Sequence, residues 1–205
     1  MTTATRNEVR IIGGAWRGRK LRFPPGVPGL RPTPDRVRET LFNWLRDDVP
    51  GGRCLDLYAG SGALGFEALS RGAREVVFVD QESRVCRYLI ETLARLGSAN
   101  GRVLCADAQS FLNADHAPFD VIFLDPPYAA GALPAVLALI DARHVLRAGG
   151  LVYVEVSARE DAPALPDGWS LYRSKRAGEV GYHLARAPQP GAPPAQQPSA
   201  GDPPA

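Results

Sequence analysis

The sequence predicts an α/β protein built on a mostly parallel sheet, and three observations carry that reading. Val121-Ile122-Phe123-Leu124 is an unbroken apolar run closing on Asp125-Pro126-Pro127-Tyr128, the composition of a buried strand that ends at a ligand crevice. Cys54 to Tyr58 is a second extended run, and it breaks at Ala59-Gly60-Ser61-Gly62-Ala63-Leu64-Gly65 into a helical pattern. The next apolar run, Val76 to Val79, ends in Asp80, about twenty residues past Gly60, where an acid can accept hydrogen bonds from ribose hydroxyls.

The elements follow in chain order. Val9 to Ile12 and Lys20 to Phe23 flank Gly13-Gly14-Ala15-Trp16-Arg17-Gly18, so a small basic hairpin is expected with Trp16 near its tip. Arg17, Arg19, Lys20 and Arg22 around one indole offer phosphate charge with a stacking surface, which suits irregular RNA; Trp16 would serve equally as a core anchor. Pro24 to Pro32 is a loop. Thr33-Pro34-Asp35 reads as an N-cap, a first-turn proline and an acid favoured by the helix dipole, opening a helix from about Pro34 to Asp47. Val37, Leu41, Trp44 and Leu45 form its apolar stripe, which leaves Arg38 and Asn43 to other faces.

The alternating region begins with Cys54 to Tyr58 and a helix ending near Gly72. After the second strand, Glu82 to Leu96 is helical and Gly97 caps its end. Arg102 to Asp107 is the third strand, and Asp107 either accepts from an adenine amine or caps the short helix that follows. Phe119 to Leu124 is the fourth strand, Leu133 to Ile140 a helix, Gly149-Gly150 a turn, and Leu151 to Val156 a fifth strand holding Glu155. Trp169 to Arg173 and Val180 to Ala185 form a terminal antiparallel pair about Ala177-Gly178. Ala187 to Ala205, rich in proline and without aromatic or β-branched residues, is expected to be disordered.

At 205 residues, 45% hydrophobic and 22% charged, one globular catalytic domain is the default. No apolar stretch approaches the roughly 18 residues of a membrane span, and the polar start lacks a signal peptide's apolar core, so a soluble, cytoplasmic protein is expected. Cys54, Cys86 and Cys105 are expected to be buried, reduced thiols, and His116, His144 and His183 show no metal-ligand spacing. The net charge of +2 conceals an asymmetry: residues 1 to 46 hold ten Lys/Arg against three Asp/Glu, a balance of +7, and the remainder carries −5. A basic head on an acidic body is a sign of nucleic-acid contact, although a solvated basic face has the same composition.

The chemistry concentrates at residues 125 to 128. Consecutive prolines lack N–H donors and leave their carbonyls free, so the motif sets two acceptors beside an aromatic ring, as a planar amine that is held, deprotonated and stacked requires. A turn using Asp and Pro for their dihedrals alone is the plainer reading. No P-loop signature is present, and the spacing of Gly60, Gly62 and Gly65 departs from the dinucleotide fingerprint, which makes a nicotinamide enzyme the weaker alternative.

Asp56-Leu57-Tyr58-Ala59-Gly60-Ser61-Gly62-Ala63-Leu64-Gly65 together with Asp125-Pro126-Pro127-Tyr128 resembles the S-adenosylmethionine-dependent N-methyltransferases. Val9 to Arg19 and Arg31-Pro32-Thr33-x-Asp35 to Leu45 narrow the resemblance to the bacterial 16S rRNA guanine-N2 methyltransferases that modify guanine 966, over roughly residues 8 to 186. That resemblance implies a Rossmann-like seven-stranded sheet of order 3-2-1-4-5-7-6. It also implies three parts: a basic hairpin extension over 1–33, a methyltransferase domain over 34–186, and a tail over 187–205. It places Asp56, Tyr58, Ala59 and the turn Gly60-Ser61-Gly62 at the methionine moiety of S-adenosylmethionine, Asp80 at the ribose, and Asp107 with Ala108 at the adenine. Asp125, Pro126, Pro127 and Tyr128 fall at the target base, with Asp125 also among the cofactor-binding residues. Arg10, Trp16, Arg17, Arg19, Lys20, Arg22, Arg31 and Arg36 are the expected RNA contacts, with a monomer acting on rRNA in a small-subunit or assembly particle. Relatives often carry Glu where Asp80 stands, and the proline-rich tail has no counterpart in the pattern. An adenine-N6 methyltransferase would use the same motif, and a non-catalytic RNA-binding assembly factor would keep the fold.

Overall fold

The computed structural model describes residues 7–27, 32–126 and 132–189; Arg31, Pro127, Tyr128 and residues 190–205 of the expected disordered tail lie outside them, whereas Ala187, at the tail's expected start, is buried in a core and donates to the Gly150 carbonyl. Within these residues a seven-stranded sheet forms the middle layer. Its strands are β3 (Arg53–Asp56), β4 (Glu75–Asp80), β5 (Gly101–Cys105), β6 (Phe119–Leu124), β7 (Leu146–Ser157), β8 (Ser170–Ala177) and β9 (Val180–Arg186). The order is β5-β4-β3-β6-β7-β9-β8, which is 3-2-1-4-5-7-6 when counted from the first strand of the sheet, as expected. Pairing is parallel from β5 through β7, and β9 joins β7 and β8 antiparallel.

Alternation along the strands builds two cores. Cys54, Val76, Phe78, Val121, Phe123, Leu151, Tyr153, Tyr182 and Leu184 face one side, and Leu55, Val77, Val79, Ile122, Leu124, Val152 and Val154 face the other. The first face is covered by α1 (Asp35–Trp44), α2 (Ala63–Ser70) and α3 (Ser83–Leu96). The second is covered by α4 (Ala108–Asn113) and α5 (Ala132–Ala142). Both faces are apolar because crossover helices bury them, which is why these runs lack polar alternation.

The N-terminal hairpin, β1 (Glu8–Arg10) with β2 (Lys20–Arg22), is joined by a single 3₁₀ turn over Gly14–Trp16. Its Val9, Ile11, Leu21 and Phe23 belong to the first core. A buried polar network fastens it there. Glu67 of α2 accepts from the Ile12 N–H at 2.8 Å and faces Arg38 at 3.5 Å and Arg71 at 2.7 Å, while Arg38 donates to the Arg10 carbonyl at 2.9 Å and to Asp35 at 2.5 Å. The Trp16 backbone N–H donates to Ser70 Oγ, and the half-buried Trp16 side chain packs against the core, which favours the anchoring role for its indole.

Several local expectations change. Thr33 does not cap α1; the N-cap is Pro34 without a side-chain bond, because the Thr33 hydroxyl is engaged by Glu155 at 2.6 Å. Arg38 is wholly buried, and its charge is balanced by Glu67 and Asp35. Gly149 and Gly150 lie inside β7 at a register shift against β6, so they form a bulge and not a turn between elements. Cys105 is exposed, contrary to expectation, because β5 is the sheet's edge; Cys54 and Cys86 are buried.

Candidate active site

The strand order reverses between β3 and β6, where neighbouring strands send their helices to opposite faces, and this switch point opens the crevice of such sheets. Asp56 ends β3 and Asp125 follows β6 directly. Val154 pairs with Leu124, so Glu155 on β7 comes level with Asp125. The sequence therefore brings three carboxyls to one edge of the sheet.

Their environments are dry. Asp56 is buried and accepts from the Gly65 N–H at 2.9 Å, and desolvation, with the charges of Asp80 and Glu155, outweighs that bond and pushes its carboxyl up to about 8. Burial, then the charges of Glu155 and Asp56, hold Asp125 well above the usual carboxylate range. Burial also raises Glu155, against the lowering effect of hydrogen bonds from Thr33 and Tyr153. None of Asp56, Asp80, Asp125 or Glu155 forms an ion pair among the described residues. Clustered acids without a counter-cation are matched to a cationic ligand, whose charge would favour their ionised forms.

The glycine turn lies beside them. Gly60 and Gly62 take the left-handed region, φ 49° and 71°. The Gly60 N–H donates to Asp80 Oδ2 at 2.9 Å, and Asp80 Oδ1 accepts from the Glu82 N–H at 2.9 Å. Each carboxylate oxygen can accept a second bond, so Asp80 can brace the turn and still receive hydroxyl donors. Ser61 is buried, its carbonyl held by the Tyr88 hydroxyl at 3.2 Å, and the Ala59 N–H reaches the Val79 carbonyl at 3.0 Å. Gly62 and Gly65 each have a packing reason. A Cβ on Gly62 would stand 2.5 Å from Phe66 Cε2, and one on Gly65 would run into the Phe78 ring.

Asp107 caps α4, accepting from the Ser110 N–H at 2.9 Å, which settles that half of its sequence reading. Its charge bears on half-buried Tyr58, whose hydroxyl is raised by burial first, so Asp107 and Tyr58 share this rim with Ala108 of α4. Pro126 is half-buried beside Asp125. Arg10, Arg17, Arg19, Lys20, Arg22 and Arg36 are all exposed on the hairpin and the start of α1; Lys20 and Arg22 pair with Glu8, and Arg10 approaches Asp35. Among the described residues no group of three His, Cys, Asp or Glu is placed to hold a metal, and no helix is long and apolar enough to cross a membrane.

Sequence reasoning gives neither Glu155 nor Thr33 a place in the site. Thr33, Glu155 and Tyr153 form a buried cluster, and Arg38 Nε donates to the Thr33 carbonyl at 3.1 Å. Arg38 also holds the Arg10 carbonyl, so a continuous chain of contacts runs from the hairpin to the carboxyl beside Asp125. The signal that could have found Glu155 is an acid inside the apolar run Leu151 to Val156, one strand over from Asp125.

Comparisons with known proteins agree with this fold. The family described as "Conserved hypothetical protein 95" matches residues 9–186. A relative from Escherichia coli K12 named ribosomal RNA small subunit methyltransferase D is 47% identical over 177 residues, covering 86% of this chain and 89% of that protein. Its namesake from Haemophilus influenzae is 42% identical, covering 89% of this chain and 96% of the other. A solved Escherichia coli structure superposes with a TM-score of 0.82 at 45% identity, covering 88% of this chain and 98% of that one.

Proposed function

Because the chain belongs to the conserved hypothetical protein 95 family, we infer that it is an S-adenosylmethionine-dependent rRNA methyltransferase, transferring a methyl group to the exocyclic N2 of a guanine in 16S rRNA. The relatives named ribosomal RNA small subunit methyltransferase D support the reaction and the RNA class. The observation that carries the reading is the uncompensated acidic crevice of Asp56, Asp125 and Glu155 at the switch point. It fits a ligand bearing a sulfonium and an ammonium.

In this reading Asp56 and the turn Tyr58 to Gly62 hold the methionine part, Asp80 the ribose, and Asp107 with Ala108 the adenine. When bound, the cofactor supplies a methyl carbon already activated by sulfonium charge. The protein then chiefly positions the nucleophile, and this can remove several kcal/mol, up to about 7–11, of the barrier. The guanine N2 lone pair is delocalised into its ring. Asp125 and the Pro126 carbonyl would each accept one N2–H bond and turn that lone pair out of conjugation. Burial and the neighbouring acids raise Asp125 above the usual carboxylate range, so once a cationic ligand favours its anion that anion is a stronger base than an ordinary carboxylate and is suited to take the proton that N2 loses. Pro127 would complete the motif and Tyr128 would stack on the base.

The proposed domain division follows: residues 1–33 contact RNA through Arg10, Arg17, Arg19, Lys20, Arg22 and Arg31, with Trp16 anchoring the hairpin and Arg36 alongside, residues 34–186 carry the chemistry, and 187–205 are a tail. The protein would act as a cytoplasmic monomer on a small-subunit or assembly particle. Mass spectrometric mapping of 16S rRNA from cells lacking the gene tests the reading. One guanine should lose an N2-methyl group and regain it on complementation, and an unchanged methylation map would end the assignment.

A further inference from the structure

We propose that the outer edge of the sheet, strand β8 with the adjoining end of β9, is a second RNA-contacting surface that grips an unpaired or looped segment of the substrate. The proposal rests on the rRNA reading above and extends its footprint to a part of the chain whose overall charge is acidic. β8 reads Ser-Leu-Tyr-Arg-Ser-Lys-Arg-Ala: Arg173, Lys175 and Arg176 with no acid between them. Neither Arg173 nor Lys175 forms an ion pair among the described residues.

The geometry gathers these groups on one face. Arg173 lies opposite Leu184, Lys175 opposite Tyr182 and Ser170 opposite Arg186, and directly paired residues of antiparallel strands point the same way. Leu184 and Tyr182 belong to the first core, so this is the face on which α1 and the hairpin pack. The register shifts between Leu171 and Arg173, which makes Tyr172 the extra residue of a bulge, a device that re-aims a side chain at a sheet edge. Tyr172 is 39% exposed, and two guanidiniums approach its ring, Arg186 Cζ at 4.2 Å and Arg173 Cζ at 4.7 Å from the ring centre. Buried Arg186 Nε has no hydrogen-bond partner among the described residues. α1 spans the interval, with Arg38 on the hairpin's Arg10 carbonyl and Trp44 stacked on Tyr182 at 5.4 Å.

Charged side chains alone would be explained as protection of an edge strand against pairing with another chain. An exposed tyrosine flanked by two guanidiniums, with Leu171 also 36% exposed beside it, works against such protection. It has the composition of a surface for single-stranded nucleic acid: cations for phosphates and a ring for a base. Arg176 supplies a contrast within the same strand. It faces the other way, and its guanidinium is engaged by the Glu160 carbonyl at 3.2 Å and Asp161 at 3.9 Å.

Anisotropy titrations of the full chain with a labelled 16S rRNA fragment containing the methylated loop, repeated over a salt series, test the proposal. R173Q/K175Q should lower the slope of log K against log salt by about 1.4, from roughly 0.7 per cation on single strands. Y172A should weaken binding about five-fold or more, and Y172F should restore it, as base stacking on an aromatic ring requires. R176Q should change neither. If R17A/R19A/K20A flattens the slope and the β8 variants leave slope and affinity at the native values, the edge proposal is overturned and the rRNA reading stands. Native protein that shows no salt-dependent RNA binding would overturn both. β8 variants that bind the fragment normally but lose affinity only for assembled small-subunit particles would assign the edge to a protein partner and overturn the RNA proposal. Normal RNA binding accompanied by new self-association in light scattering would return the charges to edge protection and overturn it as well.

Discussion

Asp125 sits where burial and two neighbouring acids favour its neutral form, and the proposed chemistry needs its anion. A cationic ligand would resolve that conflict, so ligand binding should release protons from the Asp56, Asp125 and Glu155 group. Affinity for S-adenosylmethionine should therefore rise with pH up to about 8, where Asp56 titrates, and more steeply than affinity for S-adenosylhomocysteine, whose sulfur is uncharged. Calorimetry in buffers of different ionisation enthalpy checks this, and equal slopes for the two ligands would contradict it. Stability of the ligand-free protein has the opposite trend. Asp56 moves from its ordinary value of 3.8 to about 8, so between these values the folded state keeps a proton that the unfolded chain releases. This contribution is full below about pH 4 and is lost as pH rises toward 8. Asp56→Asn should flatten that decline in urea midpoints. Asp125→Ala should reduce turnover by a factor of about 10² or more, far beyond its effect on ligand affinity; a loss of affinity as large as the loss of turnover would confine Asp125 to the cofactor. Asp125 was legible in the sequence because it ends an apolar run, whereas Glu155, inside one, was not. The burial of Arg38 was not, since a cation three residues into an amphipathic helix is assigned to solvent until Glu67, Asp35 and two carbonyls are seen around it.

Among the elements, the strands of the parallel region were legible because both faces are buried, so Val76 to Val79 and Val121 to Leu124 stand out as continuous apolar runs. What the runs hid were the uses of small or polar residues between them. Gly149 has φ 70° in a bulge that realigns β7 with β6, and the resulting register brings Glu155 level with Asp125. Gly65 reads as part of a ligand loop but provides the close approach of α2 to Phe78. Gly65→Ala should therefore cost about 1–3 kcal/mol by overpacking, seen as a lower thermal midpoint with ligand affinity per folded molecule retained. Thr33 reads as a helix cap but donates to Glu155. Thr33→Val leaves one oxygen of a buried carboxyl with one donor fewer, a loss of about 1–3 kcal/mol. Because Glu155 faces Asp125, the pH profile of turnover should move as well, whereas a simple packing defect would lower stability and leave the profile in place.

Across the whole molecule, charge is divided between an acidic crevice and a basic hairpin joined through one buried network. Arg17, Arg19 and Lys20 replaced by Ala should flatten the salt dependence of RNA binding by about two units of slope, three cations at roughly 0.7 each. An unchanged slope would take the hairpin out of the interface. The hairpin's shape does not come from its own two strands of three residues, which are too short to persist alone. It comes from the α2 carboxylate of Glu67 and from Arg38. Transplanting the loop into a different scaffold would consequently carry over its charges without their spacing, and an engineer wishing to redirect the enzyme to another RNA must move α1 and α2 with it.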